Sequence, residues 1–122
     1  MKILLAEDDS NIAAIAKMVL EKIGGHQVTH VANGQLAVEQ SQAEKFDLIL
    51  LDEMMPKLNG LGAFNKIKEL DNNHPPVIFL SAKSQNDEID KLKLAGIGFI
   101  GKPFDPNQLC QMIDQLLQKR GS

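Results

Sequence analysis

The segment Leu48-Ile49-Leu50-Leu51 constrains this chain most, because four apolar residues run directly into Asp52, with Glu53-Met54-Met55-Pro56 behind it. A continuous apolar run of this length, bounded by Asp47 and Pro56, reads as a strand buried on both faces. Such strands belong to parallel sheets covered by helices. Val77-Ile78-Phe79-Leu80 repeats the pattern and ends in Ser81. Lys2 to Ala6 is a further short apolar strand that ends in Glu7-Asp8-Asp9. Residues 27–32 and 97–100 complete a set of five, the last leading to Gly101-Lys102-Pro103-Phe104.

Helical patterns fill the gaps. Ile12, Ile15, Val19 and Ile23 step by threes and fours, which predicts an amphipathic helix capped by Asp9 or Ser10 and stopped at Gly24-Gly25. A shorter helix is expected over 35–43, after a turn at Asn33-Gly34. A third carries Leu61, Phe64, Ile67 and Leu70 on one stripe. A fourth is expected over 86–95, with Ile89 and Leu92 inward. The last runs from about Pro106 to 119, with Leu109, Ile113, Leu116 and Leu117 inward. Strands alternating with helices give a parallel sheet with right-handed crossovers. The expected fold is therefore α/β, a three-layer doubly wound (βα)5 domain, and residues 1–122 are read as that one domain.

Composition narrows the function classes. The chain is 43% hydrophobic and 24% charged, the balance of a soluble globular protein. A net charge of −3 without clustered Lys or Arg argues against a grip on nucleic acid through its phosphates. Cys110 is the only cysteine, so no internal disulfide can form and a reducing compartment fits. No apolar run approaches the roughly 20 residues of a membrane span and no signal peptide precedes the fold, so a cytoplasmic protein without a membrane partner is expected.

The carboxyl ends of the strands carry the chemistry. In an open parallel sheet these ends share one edge, where ligands bind. The first strand brings Glu7, Asp8 and Asp9, the third Asp52, the fourth Ser81, and the fifth leads to Lys102. Carboxylates gathered so closely repel unless a cation neutralises them, either Lys102 or a divalent ion. An all-oxygen donor set suits Mg2+, Mn2+ or Ca2+ rather than zinc. Carboxylate, metal, lysine and hydroxyl together can hold a phosphoryl group, and an aspartate nucleophile would give an acyl phosphate. Each part has a plainer explanation. The acidic triplet suits a helix N-terminus, Ser81 a helix entry, and Lys102 a surface charge. Their coincidence at four strand ends favours a site. His26, His30 and His74 read as structural or surface residues, and Cys110 as packing.

Four segments together carry a resemblance to a known family. They are Ile3-Leu4-Leu5-Ala6-Glu7-Asp8-Asp9, Leu51-Asp52-Glu53-Met54-Met55-Pro56 with Asn59-Gly60, Phe79-Leu80-Ser81-Ala82, and Lys102-Pro103-Phe104. In order and spacing they resemble the receiver domain of two-component response regulators, the chemotaxis-regulator-like fold, over residues 2 to about 119. The resemblance implies strand order 2-1-3-4-5, with the first and fifth helices on one face and the second, third and fourth on the other. It makes Asp52 the phosphoacceptor. Asp8 would bind Mg2+ directly, Glu7 mainly through water, and the Met54 backbone carbonyl would be a further ligand; Mn2+ could substitute. Lys102 would pair with the phosphoryl oxygens, and its bond to Pro103 would be cis. Ser81 would supply the hydroxyl that moves toward the phosphoryl group, and Phe99 would be the aromatic switch. Met54 and Lys83 fall where the family tunes hydrolysis.

The match has departures. Phe99 replaces a more frequent tyrosine, and Gly96-Ile97-Gly98 lacks the acid often found before that aromatic. Asp9 is read as a helix cap. The implied partners are a histidine kinase or phosphotransfer protein as donor and a downstream protein or output domain as target. The chemistry acts on the domain itself, so no enzyme is expected. An aspartyl phosphohydrolase of the haloacid dehalogenase type would need Asp-x-Asp after the first strand, which Ala6-Glu7-Asp8-Asp9 does not supply. A phosphorylation-independent pseudo-receiver would be expected to lack Asp52, one of the acidic pair, or Lys102. Two forms of output stay open, a stand-alone regulator and the N-terminal receiver of a longer transcriptional or enzymatic regulator.

Overall fold

Five parallel strands form the middle layer of the computed structural model, which describes residues 1–55, 57–81 and 96–121. In chain order the elements are β1 (Lys2–Ala6), α1 (Ser10–Lys22), β2 (Gln27–Val31), α2 (Gly34–Ala43), β3 (Leu48–Asp52), α3 (Gly60–Leu70), β4 (Val77–Ser81), β5 (Gly98–Gly101) and a C-terminal helix (Leu109–Gly121). The strands lie in the order β2-β1-β3-β4-β5, as the resemblance implied. The expected fourth helix over 86–95, with Ile89 and Leu92, lies outside the described residues, as do Ala82, Lys83 and Pro56.

The alternation of side chains along β3 builds two cores from one strand. Leu48 and Leu50 point to one face, where Ile3, Leu5, Ile78, Leu80 and Ile100 join them beneath α1 and the C-terminal helix. Ile49 and Leu51 point to the other face, with Leu4, Ala6, Val77 and Phe79 beneath α2 and α3. A strand buried on both faces needs no polar alternation, which is why the central strands read as unbroken apolar runs. β1 and β4 flank β3, with Ala6 opposite Leu51 and Leu80 opposite Asp52. Among the described residues no helix is long and apolar enough to cross a membrane.

The helix stripes depart from expectation in three places. In α1 the buried residues are Ala13, Ala16, Val19 and Leu20, whereas Ile15 is exposed and Ile23, just past the helix, is 64% exposed. Small alanines let the helix approach the sheet closely, so a stripe counted from bulky residues alone is rotated from the true one. Ile12 and Ile15 instead line a shallow apolar groove with Lys102, Pro103, Phe104 and Pro106. In α3 the inward residues are Ala63, Phe64 and Ile67, and Leu70 at the last turn is 58% exposed. The C-terminal helix begins at Leu109, not at Pro106. Asp105 holds the preceding turn by accepting the Asn107 N–H on its side chain and the Gln108 N–H on its carbonyl.

Caps and stops largely follow the sequence. Asp9 caps α1, its Oδ1 accepting the N–H groups of Asn11 at 2.9 Å and Ile12 at 3.1 Å. Gly25 takes a positive φ of 68° just past the end of α1. Asn33 is the N-cap of α2, so Asn33-Gly34 opens that helix and is not a free turn.

Candidate functional site

β1 and β3 are neighbours in register, so the first residues beyond their apolar runs, Glu7 and Asp52, emerge side by side. Glu7 is fully buried and Asp52 is 1% exposed, while Asp8 is exposed at the rim. One carboxylate oxygen from each of the three lies within 4.8 Å of the others. The Lys102 ammonium bridges the buried pair, 2.9 Å from Glu7 Oε1 and 3.0 Å from Asp52 Oδ1. Its backbone extends the β4–β5 ladder, since the Lys102 N–H donates to the Ser81 carbonyl at 2.8 Å. The Lys102–Pro103 peptide bond is cis. Ser81 is buried at the end of β4. Phe99, half-buried in β5 opposite Phe79, packs against the core on the α2 and α3 side. Met54 stands two residues past Asp52 with a 59% exposed side chain.

One ammonium does not balance this cluster. Burial, and then the close approach of the Glu7 carboxyl, push the Asp52 carboxyl up to about 7 against the opposing pull of Lys102. Burial lowers the Lys102 pKa, but the hydrogen bonds and charges of Glu7 and Asp52 outweigh it, and the net displacement is upward. Asp52 Oδ2 is buried and has no hydrogen-bond partner. An orphaned buried oxygen beside two more carboxylates is the donor set a hard divalent cation takes. With all three carboxylates ionised, one ammonium would leave two negative charges, which such an ion would compensate. Mg2+ fits these residues.

The backbone around Asp52 is held by close approaches. A Cβ on Gly60 would stand 2.5 Å from the Asp52 carbonyl oxygen, so only glycine lets α3 begin against the strand end. The Gly60 N–H donates to the Glu53 carbonyl, and Asn59 caps α3 by accepting the Gly62 N–H at 2.8 Å. A Cβ on Gly34 would stand 2.0 Å from the Leu58 carbonyl oxygen, so α2 seats the same loop from the side.

On the β1 side, the Glu7 N–H donates to the Val31 carbonyl at 3.0 Å. The Glu7 carbonyl lies 2.8 Å from His30 Nε2. His30 was expected to be only structural or surface, and it is a neighbour of the acidic cluster. Its contact joins a side chain of β2 to a backbone oxygen of the next strand, and no spacing within the sequence signals that. The structure thus brings Glu7, Asp8, Asp52 and Lys102 together, with Ser81 on the adjoining strand end; Lys83 lies outside the described residues.

Comparison with known proteins identifies the family. The family described as the response regulator receiver domain matches residues 3–114. The response regulator ArlR of Staphylococcus saprophyticus is 33% identical over 120 residues, covering 98% of this chain and 53% of that protein. The transcriptional regulatory protein DltR of Streptococcus agalactiae is 36% identical over 115 residues, covering 93% of this chain and 50% of that protein. The chain therefore spans about half the length of these relatives. Among solved structures, the receiver domain of a Francisella response regulator superposes with a TM-score of 0.85 at 29% identity, covering 98% of both chains. The BeF3-activated DrrB receiver domain gives 0.80 at 26% identity, covering 96% of this chain and 97% of that one.

Proposed function

This chain belongs to the response regulator receiver domain family, and on that premise we propose that Asp52 is its phosphoacceptor. The observation that carries the reading is the setting of Asp52, buried at the end of the central strand with Oδ1 on Lys102 and Oδ2 unpartnered. In the proposed step an Asp52 oxygen attacks the phosphorus of a phosphohistidine on a histidine kinase or phosphotransfer protein. The new O–P bond forms as the P–N bond breaks, and the electron pair returns to the imidazole. Lys102 then pairs with the phosphoryl oxygens, and Ser81 offers its hydroxyl from the neighbouring strand. Glu7, Asp8, Asp52 and the Met54 carbonyl would hold Mg2+, with Mn2+ as a substitute. When bound, the ion neutralises the carboxylates so that an anionic donor can approach.

Movement of Ser81 toward the phosphoryl group makes room for Phe99, shifting the equilibrium between two surfaces built by the expected fourth helix, which lies outside the described residues, β5 and the C-terminal helix. Hydrolysis of the acyl phosphate resets the domain. Its chemistry is confined to its own Asp52, and the cytoplasm is the compartment where such donors meet it. Because the chain matches about half of the transcriptional regulatory protein DltR, the output we favour is an attached or separate effector of transcription.

The test is transfer from a phosphohistidine protein in the presence of Mg2+, followed by hydroxylamine and peptide mass analysis. The expected product is a hydroxamate at Asp52. A product at another residue would refute the assignment.

A further inference from the structure

We propose that His30 is a positioning residue for the acidic cluster, holding the Glu7 carbonyl and so fixing the peptide unit from which Asp8 leaves the strand. This rests on the assignment of Glu7, Asp8 and Asp52 to metal binding. β1 ends at Ala6 and β2 at Val31, in register with each other, so Glu7 lies one residue past the paired ladder. The Glu7 N–H still finds the Val31 carbonyl. Its carbonyl instead meets the exposed His30 imidazole, whose Nε2 lies 2.8 Å away. A carbonyl oxygen can only accept, so Nε2 carries the proton and donates it.

That oxygen belongs to the peptide unit that joins Glu7 to Asp8. Beyond Asp8 the chain is fixed again, because Asp9 is locked as the α1 cap by two hydrogen bonds. Asp8, the exposed member of the cluster, is therefore strung between two anchors, and His30 supplies the first. Outer partners of this kind set the direction of metal-binding groups without touching the ion.

The test compares Mn2+ binding, followed by the EPR signal of the free ion, in the wild-type chain and in His30→Leu, His30→Gln and His30→Asn, with metal-free thermal unfolding alongside. Losing one hydrogen bond is expected to weaken Mn2+ binding roughly two- to tenfold in His30→Leu. Glutamine places an N–H at about the reach of Nε2 and is expected to restore binding, whereas the shorter asparagine is not. A drop in melting temperature with Mn2+ affinity unchanged would assign His30 to structure alone and overturn the proposal. A loss in His30→Leu that glutamine does not restore would overturn it too, since the donor would then not be what matters. Wild-type protein that binds no Mn2+ would overturn the metal assignment and the role of His30 with it. That outcome is distinct from wild-type binding that the variants leave unchanged, which would remove His30 alone.

Discussion

Leu50 and Asp52 are two residues apart on one buried strand, yet their surroundings make opposite demands. Leu50 is packed on all sides by apolar neighbours from adjoining strands and the helices above them. Asp52 is as deeply buried, but it shares one ammonium with Glu7 and keeps an oxygen without a partner. Packing is satisfied along the strand and charge is left unbalanced at its end. Removing atoms from the first region should cost stability, and removing negative charge from the second should raise it. The proposed binding of a cation and a phosphoryl group would relieve that imbalance.

The largest effect should come from the packed region. Leu50→Ala is expected to lower unfolding free energy by roughly 3 kcal/mol in urea denaturation, the usual cost of a cavity in a tight core. A loss below about 1 kcal/mol would mean that the two-sided burial of β3 has been misread.

Lys102→Met should cost somewhat less at neutral pH without metal, about 2–3 kcal/mol. It leaves two buried carboxylates without their cation, and proton uptake by Asp52 limits the damage. Little change would show that the ammonium does not hold the pair together.

Asp52→Asn should move the other way, stabilising the metal-free protein by about 1–2 kcal/mol near pH 7, because it takes one member out of a mutually repelling buried cluster. The pH dependence gives the same contrast. Asp52 is raised from an ordinary value of 3.8 to about 7, so over that window the native state keeps a proton that the unfolded chain has released. Stability from this group is full below about 4 and is lost as pH rises through 7. Denaturant midpoints measured across this range should fall with pH in the wild-type protein and fall less in Asp52→Asn. Equal slopes would remove Asp52 as the cause.

The smallest effect is expected far from both regions. Glu44→Gln breaks the surface pair of Glu44 with Lys2 and should change stability by no more than ~0.5 kcal/mol.

The same contrast explains what could be read from the sequence. The strands were legible because burial on both faces leaves unbroken apolar runs, and their ends were legible because Asp52, Ser81 and the acids after Ala6 interrupt those runs. The inward face of α1 was not, since Ala13 and Ala16 carry it and alanine says little about burial. Leu70 looked like a continuation of the α3 stripe, but it falls in the last turn, where the helix has passed the edge of its core. His30 was invisible for another reason. Its partner is a backbone oxygen on a neighbouring strand, and backbone oxygens have no letter in a sequence.

The most direct measurement is intact mass after incubation with Mg2+ and acetyl phosphate, with wild-type and Asp52→Asn proteins side by side. One added phosphoryl group on the wild type and none on the variant is the predicted result. An equal adduct on both proteins would place the chemistry elsewhere and contradict the account of Asp52.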